Sequence, residues 1–167
     1  IYCQKPLTLT INEGKALVKA VRKYGRIFQV GSQQRSESNF RFACELVRSG
    51  RIGKVHTVKV FLPNGSDGPW EPDSEPPEGL DWDLWVGPAP WQPYNRAFHR
   101  NPIPGVVPWA FHDDFGAGAV TWYHSHAADV IQYALGAEDS GPVEFIHPST
   151  GQYPTLTCRY ANGTLLH

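Results

Sequence analysis

The sequence predicts an α+β protein in two parts: the closing stretch of a parallel α/β crossover unit, then a largely antiparallel sheet with helices on one face. Three observations predict it. Tyr2-Cys3-Gln4-Lys5-Pro6 reads as the tail of a buried strand running into a tight turn, and a helical stretch and a second apolar run, Ile27 to Val30, follow it. Strand, helix, strand in that order is half of a parallel crossover. Between Val55 and Leu62, Val58, Val60 and Leu62 share one face and Thr57 and Lys59 the other, the alternation of a sheet covered mainly on one side. Near the end, β-forming runs flank Asn162-Gly163, a strong two-residue hairpin signal.

Each element has its own local reason. Thr10-Ile11-Asn12-Glu13 has capping-box spacing, Leu17, Val21 and Tyr24 recur on one helical face, and Gly25 supplies a left-handed stop, so a helix is expected from about Ile11 to Tyr24. The strand that follows ends at Gly31, and Ser32-Gln33-Gln34-Arg35 emerge at its carboxyl end, the edge where open parallel sheets bind ligands. Polar residues after a strand are also ordinary loop. Phe40, Ala43, Cys44 and Val47 mark a second helix from about Asn39 to Arg48, with Gly50 as its stop. Asn64 to Gly79 is rich in proline and acidic residues without a period, which predicts an irregular excursion. A third helix is expected over Phe115 to Leu135, opening at Gly116-Ala117-Gly118-Ala119. Strands are expected at Val143 to Ile146, Leu156 to Tyr160 and Thr164 to His167. The short first and last strands make the chain read as the middle of a longer protein.

Composition excludes several classes. With 167 residues and 41% apolar content the chain can bury a core, and disorder is not expected. A net charge of −1 without a basic run leaves no electrostatic footprint for nucleic acid. No apolar stretch approaches the roughly 20 residues that span a bilayer, and the N-terminus lacks a secretory pattern; no membrane partner and a cytoplasmic location are expected. Cys3, Cys44 and Cys158 are odd in number and lack CxxC spacing, so they read as small buried residues. Most of the six tryptophans fall between Pro63 and Trp109, and they either stack on sugar rings or pack that segment against the fold. His124-x-His126 with His112-Asp113-Asp114 invites a metal reading, but residues two apart on a helix face different ways, so no metal site is expected.

Lys5-Pro6, Gly50-Arg51-Ile52-Gly53-Lys54-Val55, the segment Leu80-Asp81-Trp82-Asp83-Leu84-Trp85-Val86-Gly87-Pro88-Ala89-Pro90 and the run from His126 to Gly136 together carry a resemblance. They resemble the glucose-fructose oxidoreductase/inositol dehydrogenase/MocA (Gfo/Idh/MocA) family. Gln4 stands where the family has the glutamate of its Glu-Lys-Pro segment. In the Asp-x-x-x-His-x-x-Asp helix His126 and Asp129 match, Trp122 replaces the first aspartate, and His124 replaces a glycine.

The resemblance implies a Rossmann-like remnant over 1–36 and an α+β substrate and oligomerisation domain over 37–167. It implies hydride transfer between NAD or NADP and a sugar or cyclitol-like substrate, with Lys5, His126 and Asp129 catalytic. His126 would carry the hydroxyl proton, a task that suits an imidazole. Lys5, Pro6 and Gln33 would meet the cofactor, and Arg35 and His126 the substrate. No Gly-x-Gly-x-x-Gly turn occurs in these 167 residues, so tight dinucleotide binding by this chain alone is not expected. Unpaired strand edges and an open sheet face favour a homo-oligomer. The alternative is a non-catalytic homologue serving oligomerisation or carbohydrate binding.

Overall fold

The structure is a computed structural model that describes residues 1–62, 74–99 and 108–167; Asn64-Gly65-Ser66, Trp70 and most of the expected excursion lie outside the described residues. The chain is α+β and divides into two compact units. Unit one comprises Ile1–Leu7, Lys19–Phe61 and Ser125–His167; unit two comprises Thr8–Val18 and Leu62–His124.

In unit one, β1 (Tyr2–Gln4) pairs in parallel with β2 (Gln29–Gly31), Cys3 opposite Val30. The chain between them forms α1 (Ile11–Lys23), whose residues up to Val18 belong to unit two, so strand, helix and strand follow in the expected order. Its capping box is present: Glu13 N–H donates to Thr10 Oγ1 at 3.3 Å, and Thr10 N–H to Glu13 Oε2 at 3.1 Å. Gly25, at φ +56°, ends the helix in the left-handed region that costs a residue with a Cβ. A 3₁₀ turn, Gln33–Ser36, leads from β2 into α2 (Ser38–Arg48).

The second sheet has the order β3-β6-β5-β4, built from β3 (Thr57–Val58), β4 (Pro142–Ile146), β5 (Thr157–Tyr160) and β6 (Leu165–Leu166). Pairings β4–β5 and β5–β6 are antiparallel and β3–β6 is parallel, so the sheet is antiparallel except at one edge. The alternation read over 55–62 survives as Val58 and Val60 half-buried against exposed Thr57 and Lys59. The regular pairing is shorter than the pattern, although Val60 N–H still donates to the His167 carbonyl at 2.9 Å. At the hairpin, Gly163 N–H donates to the Tyr160 carbonyl at 2.9 Å, and Asn162 Oδ1 accepts from Thr164 N–H at 2.9 Å. Ile131 of α6 (His124–Ala134) packs with Ala137, Tyr160 and Leu166 and is flanked by Val58, Val60 and Cys158. Each fully buried side chain of this size stabilises by about 1.5–3 kcal/mol.

Unit two holds α3 (Trp82–Val86), α4 (Arg96–His99), a 3₁₀ turn at Pro108–Phe111 and α5 (Gly118–Trp122). Asp81 caps α3, its Oδ1 accepting from Leu84 N–H at 2.9 Å. Trp82, Val86, Tyr94 and Phe98 form the core, with Trp85, Trp109 and Phe115 packed against it. Trp82 stacks on Trp85 at 4.6 Å, meets Tyr94 edge-on at 5.1 Å and donates Nε1–H to the Gln92 carbonyl at 2.8 Å. Packing is therefore the role of Trp82, Tyr94 and Phe98.

The continuous helix expected over 115–135 is not one helix. Ala117 (φ 54°, ψ 23°) and Gly118 (φ +85°) both lie in the left-handed region, so the small-residue run is a turn and α5 begins only at Gly118. The helical run then divides at Tyr123 into α5 and α6.

Candidate functional site

The carboxyl edge of β1 and β2 and one face of α6 position the polar residues singled out from the sequence. Lys5 follows β1 directly, is half-buried, and joins Pro6 through a cis peptide bond. Burial lowers the Lys5 pKa, because losing water disfavours the ammonium form. Gln33 opens the 3₁₀ turn after β2 and is exposed, while Arg35 in the same turn is drawn to α6.

Arg35 grips Asp129 with both arms of its guanidinium. Nε donates to Oδ2 at 3.0 Å and Nη2 to Oδ1 at 2.7 Å, and Nη2 also reaches the Asp129 carbonyl at 3.4 Å. This two-pronged pairing is the strong form of a charged hydrogen bond. One turn further along α6, the Tyr133 ring carries Arg35 on one contact and Arg48 of α2 on another, each 5.0 Å from its centroid. Arg48 Nη1 donates to the Tyr133 carbonyl at 2.6 Å and pairs with Glu138 at 3.2 Å. Two arginines thus fix the outer part of α6.

His126 lies three residues before Asp129, on the same helical face. Its ring is half-buried, and Nδ1 is fully buried with no hydrogen-bond partner among the described residues. Its pKa is lowered, first by burial and then by the positive charge of Lys5, against smaller upward pulls from Glu37 and Asp129. Burial and lysine win. The result is an imidazole held neutral near neutral pH, with one buried nitrogen unengaged. An unmet buried polar atom costs about 1–3 kcal/mol, a cost that a ligand hydrogen bond would relieve.

The structure therefore brings Lys5, Arg35, His126 and Asp129 into one electrostatic cluster, with Pro6 half-buried beside Lys5 in the chain and Gln33 on the exposed turn. Two members escaped sequence reasoning. Glu37 sits just past the Arg35 turn and acts on His126, and its place at the same strand edge was the available signal. Tyr133, four residues after Asp129, had helical spacing as its only signal. Trp122, at the position of the motif's first aspartate, ends α5 and packs on Trp109 at 5.6 Å and Tyr123 at 4.7 Å. Among the described residues no three His, Cys, Asp or Glu groups are placed to hold a metal ion, and no helix is long and apolar enough to cross a membrane.

His124 is likewise lowered by burial. For a histidine whose folded pKa lies below its unfolded value, the unfolded chain binds the extra proton as pH falls. Stability is then fully present above the unfolded value of about 6.5 and is lost as pH drops through the lowered folded value. Chemical unfolding is expected to show a midpoint that decreases between about pH 7 and pH 5, with the decrease reduced by His126→Gln. A midpoint that rises over that range would contradict the burial of these rings.

A parallel crossover followed by a mostly antiparallel sheet packed against α6, with lysine at the strand edge and histidine on the helix, places the chain in the α+β class. Residues 66–164 match the model of the Gfo/Idh/MocA oxidoreductase family, C-terminal alpha/beta domain. The chain belongs to that family. It is 35% identical over 60 residues to an uncharacterized oxidoreductase, YrbE, of Bacillus subtilis, covering 36% of this chain and 18% of that protein. It is 38% identical over 61 residues to the scyllo-inositol 2-dehydrogenase (NAD(+)) of Bacillus subtilis, with the same coverage of 36% and 18%. It is 30% identical over 60 residues to the myo-inositol 2-dehydrogenase of Thermotoga maritima, again over 36% and 18%. The matches thus span about a fifth of these relatives' length. The crystal structure of myo-inositol 2-dehydrogenase from Lactobacillus plantarum aligns with a TM-score of 0.51 at 17% identity over 99% of this chain and 41% of that one, which shows the shared fold.

Proposed function

We propose that the chain forms the substrate-side part of an NAD(P)-dependent oxidoreductase acting on a secondary hydroxyl of a sugar or cyclitol. The observation that carries this reading is the neutral, half-buried His126, with an unengaged Nδ1, under the influence of the Lys5 ammonium. In oxidation the hydroxyl must lose a proton as its carbon loses hydride, and a neutral imidazole within hydrogen-bond reach is suited to take it. Lys5 has two effects in this reading: it adds to burial in keeping His126 unprotonated at rest, and it stabilises negative charge developing on the substrate oxygen. Arg35 holds Asp129 and so fixes the turn of α6 that carries His126, which makes it a positioning residue. Arg35 was expected to meet the substrate, and its engagement with Asp129 and Tyr133 supports a positioning role.

The residues fit a nicotinamide at the β1–β2 edge, where Lys5, Pro6 and Gln33 would line it and the buried Nδ1 of His126 lacks a partner. When bound, that ring supplies the hydride acceptor or donor. Phosphate-holding residues of the Gly-x-Gly-x-x-Gly type are not among these 167. The names of the matched relatives support a cyclitol or related polyol as substrate, and the exposed Val143 and Phe145 on edge strand β4 support association of the α+β sheet with a second copy. The test is nicotinamide absorbance during incubation with myo-inositol, scyllo-inositol and a set of aldoses, with NAD or NADP at millimolar levels to offset the weak dinucleotide binding expected of these 167 residues. Turnover with at least one cyclitol or sugar is expected; reduction of neither NAD nor NADP by any of them would contradict the reading.

A further inference from the structure

Unit two contains a cavity of about 680 Å³ that uses no residue of the Lys5 and His126 cluster. Trp85, Trp109, Pro88, Pro90, Asp113 and Asp114 contribute its walls, and its volume lies within the range of small-molecule sites. Its aromatic walls are fixed before any ligand arrives. Trp85 is stacked on Trp82 at 4.6 Å and meets Phe115 edge-on at 5.0 Å, and Trp109 is held against Trp122 at 5.6 Å.

The acidic pair is equally fixed. Phe115 and Gly116 N–H groups both donate to the His112 carbonyl, at 3.0 and 2.9 Å, and Asp114 N–H donates to His112 Nδ1 at 3.3 Å. Gly116 lets this turn close, since a Cβ there would fall on the backbone of Ala110. Both carboxylates stay exposed to solvent at the rim.

The donors and acceptors left over select the ligand. Trp82 spends its indole N–H on the Gln92 carbonyl and Trp91 on Asp83, and neither lines the cavity. Trp85 and Trp109 do line it, and neither donates its N–H to a protein acceptor among the described residues. The cavity thus offers indole donors beside carboxylate acceptors, and among the described residues no lysine or arginine lines it to attract an anion. A hydroxyl both donates and accepts, and the C–H faces of a pyranose suit indole and proline walls. A quaternary ammonium would satisfy the carboxylates and leave the indole donors unused.

We propose that this cavity is a carbohydrate-binding site for a neutral pyranose ring, held by Asp113 and Asp114 against Trp85 and Trp109. The proposal does not rest on the roles given to Lys5 and His126.

The test is titration of the 167-residue chain by saturation-transfer NMR with methyl β-D-glucopyranoside, the galacto and manno counterparts, and choline chloride. At least one pyranoside should bind with Kd of about 1–20 mM. Binding should weaken about tenfold in the Asp113→Asn/Asp114→Asn double variant, which loses charged acceptors without changing shape, and also weaken in Trp109→Phe, while Lys59→Gln, at an exposed position of unit one, should bind as the unaltered chain does. Near-UV circular dichroism checks that each variant keeps its aromatic packing, and the two independent cavity variants guard against a folding defect in either. Three outcomes overturn the proposal: no pyranoside bound below about 50 mM, binding of choline alone, or pyranoside binding that His126→Ala abolishes and the cavity variants leave unchanged.

Discussion

Replacing His126 by alanine is expected to lower kcat for the proposed hydroxyl oxidation by about 10²- to 10⁴-fold, the span usual for losing a positioned proton carrier. The pH dependence carries the sharper information. His126 must be neutral to accept a proton, so kcat/KM should fall as pH drops through its lowered pKa, and the Lys5 charge is one cause of that lowering. Lys5→Met removes that charge and should move the acidic limb to higher pH, even as it lowers the rate. Arg35→Gln should reduce the rate less and leave the position of the limb nearly unchanged, because Arg35 touches Asp129 rather than the imidazole. Retention of more than about a third of the rate by His126→Ala would remove it from the proton-transfer role.

The largest effect on stability is expected from Trp82→Ala, at about 3–5 kcal/mol. Trp82 is 6% exposed, stacks on Trp85, meets Tyr94 edge-on and spends its indole N–H on the Gln92 carbonyl. Truncation opens a cavity in the core of unit two and leaves a carbonyl without its donor, so transfer, cavity and hydrogen-bond losses act together. Trp91→Ala makes the contrast: Trp91 is 66% exposed and hydrogen-bonds only at the surface, and a loss under about 1 kcal/mol is expected. Urea unfolding followed by circular dichroism measures both, and equal effects would mean that the core is elsewhere.

Much of this architecture was legible because local rules and tertiary packing agree. Thr10 and Glu13 cap α1 as their spacing implies, and Asn162-Gly163 turns β5 back into β6. Lys5 and His126, far apart in sequence, were brought together by a resemblance rather than by any periodicity. Other features depend on contacts that no local pattern carries. Gly116 to Ala119 looked like a helix start because small residues are compatible with one. Closure of the turn onto Ala110 and the left-handed backbone at Ala117 and Gly118 decide otherwise. The parallel pairing of β3 with β6 joins segments about a hundred residues apart, and alternation along a single strand does not encode its partner's direction. Arg35 reads as a free polar residue at a strand edge until Asp129 and Tyr133 are seen around it.

In the proposed site His126 is held neutral first by its burial and then by the charge of Lys5. The most direct measurement is a pH titration of the His126 ring resonances by NMR, in the unaltered chain and in Lys5→Met, with the signal assigned by its loss in His126→Gln. His126 is expected to titrate below the ordinary value of about 6.5 and to move upward when Lys5 loses its charge. A His126 pKa at or above the ordinary value, unchanged by Lys5→Met, would contradict that expectation.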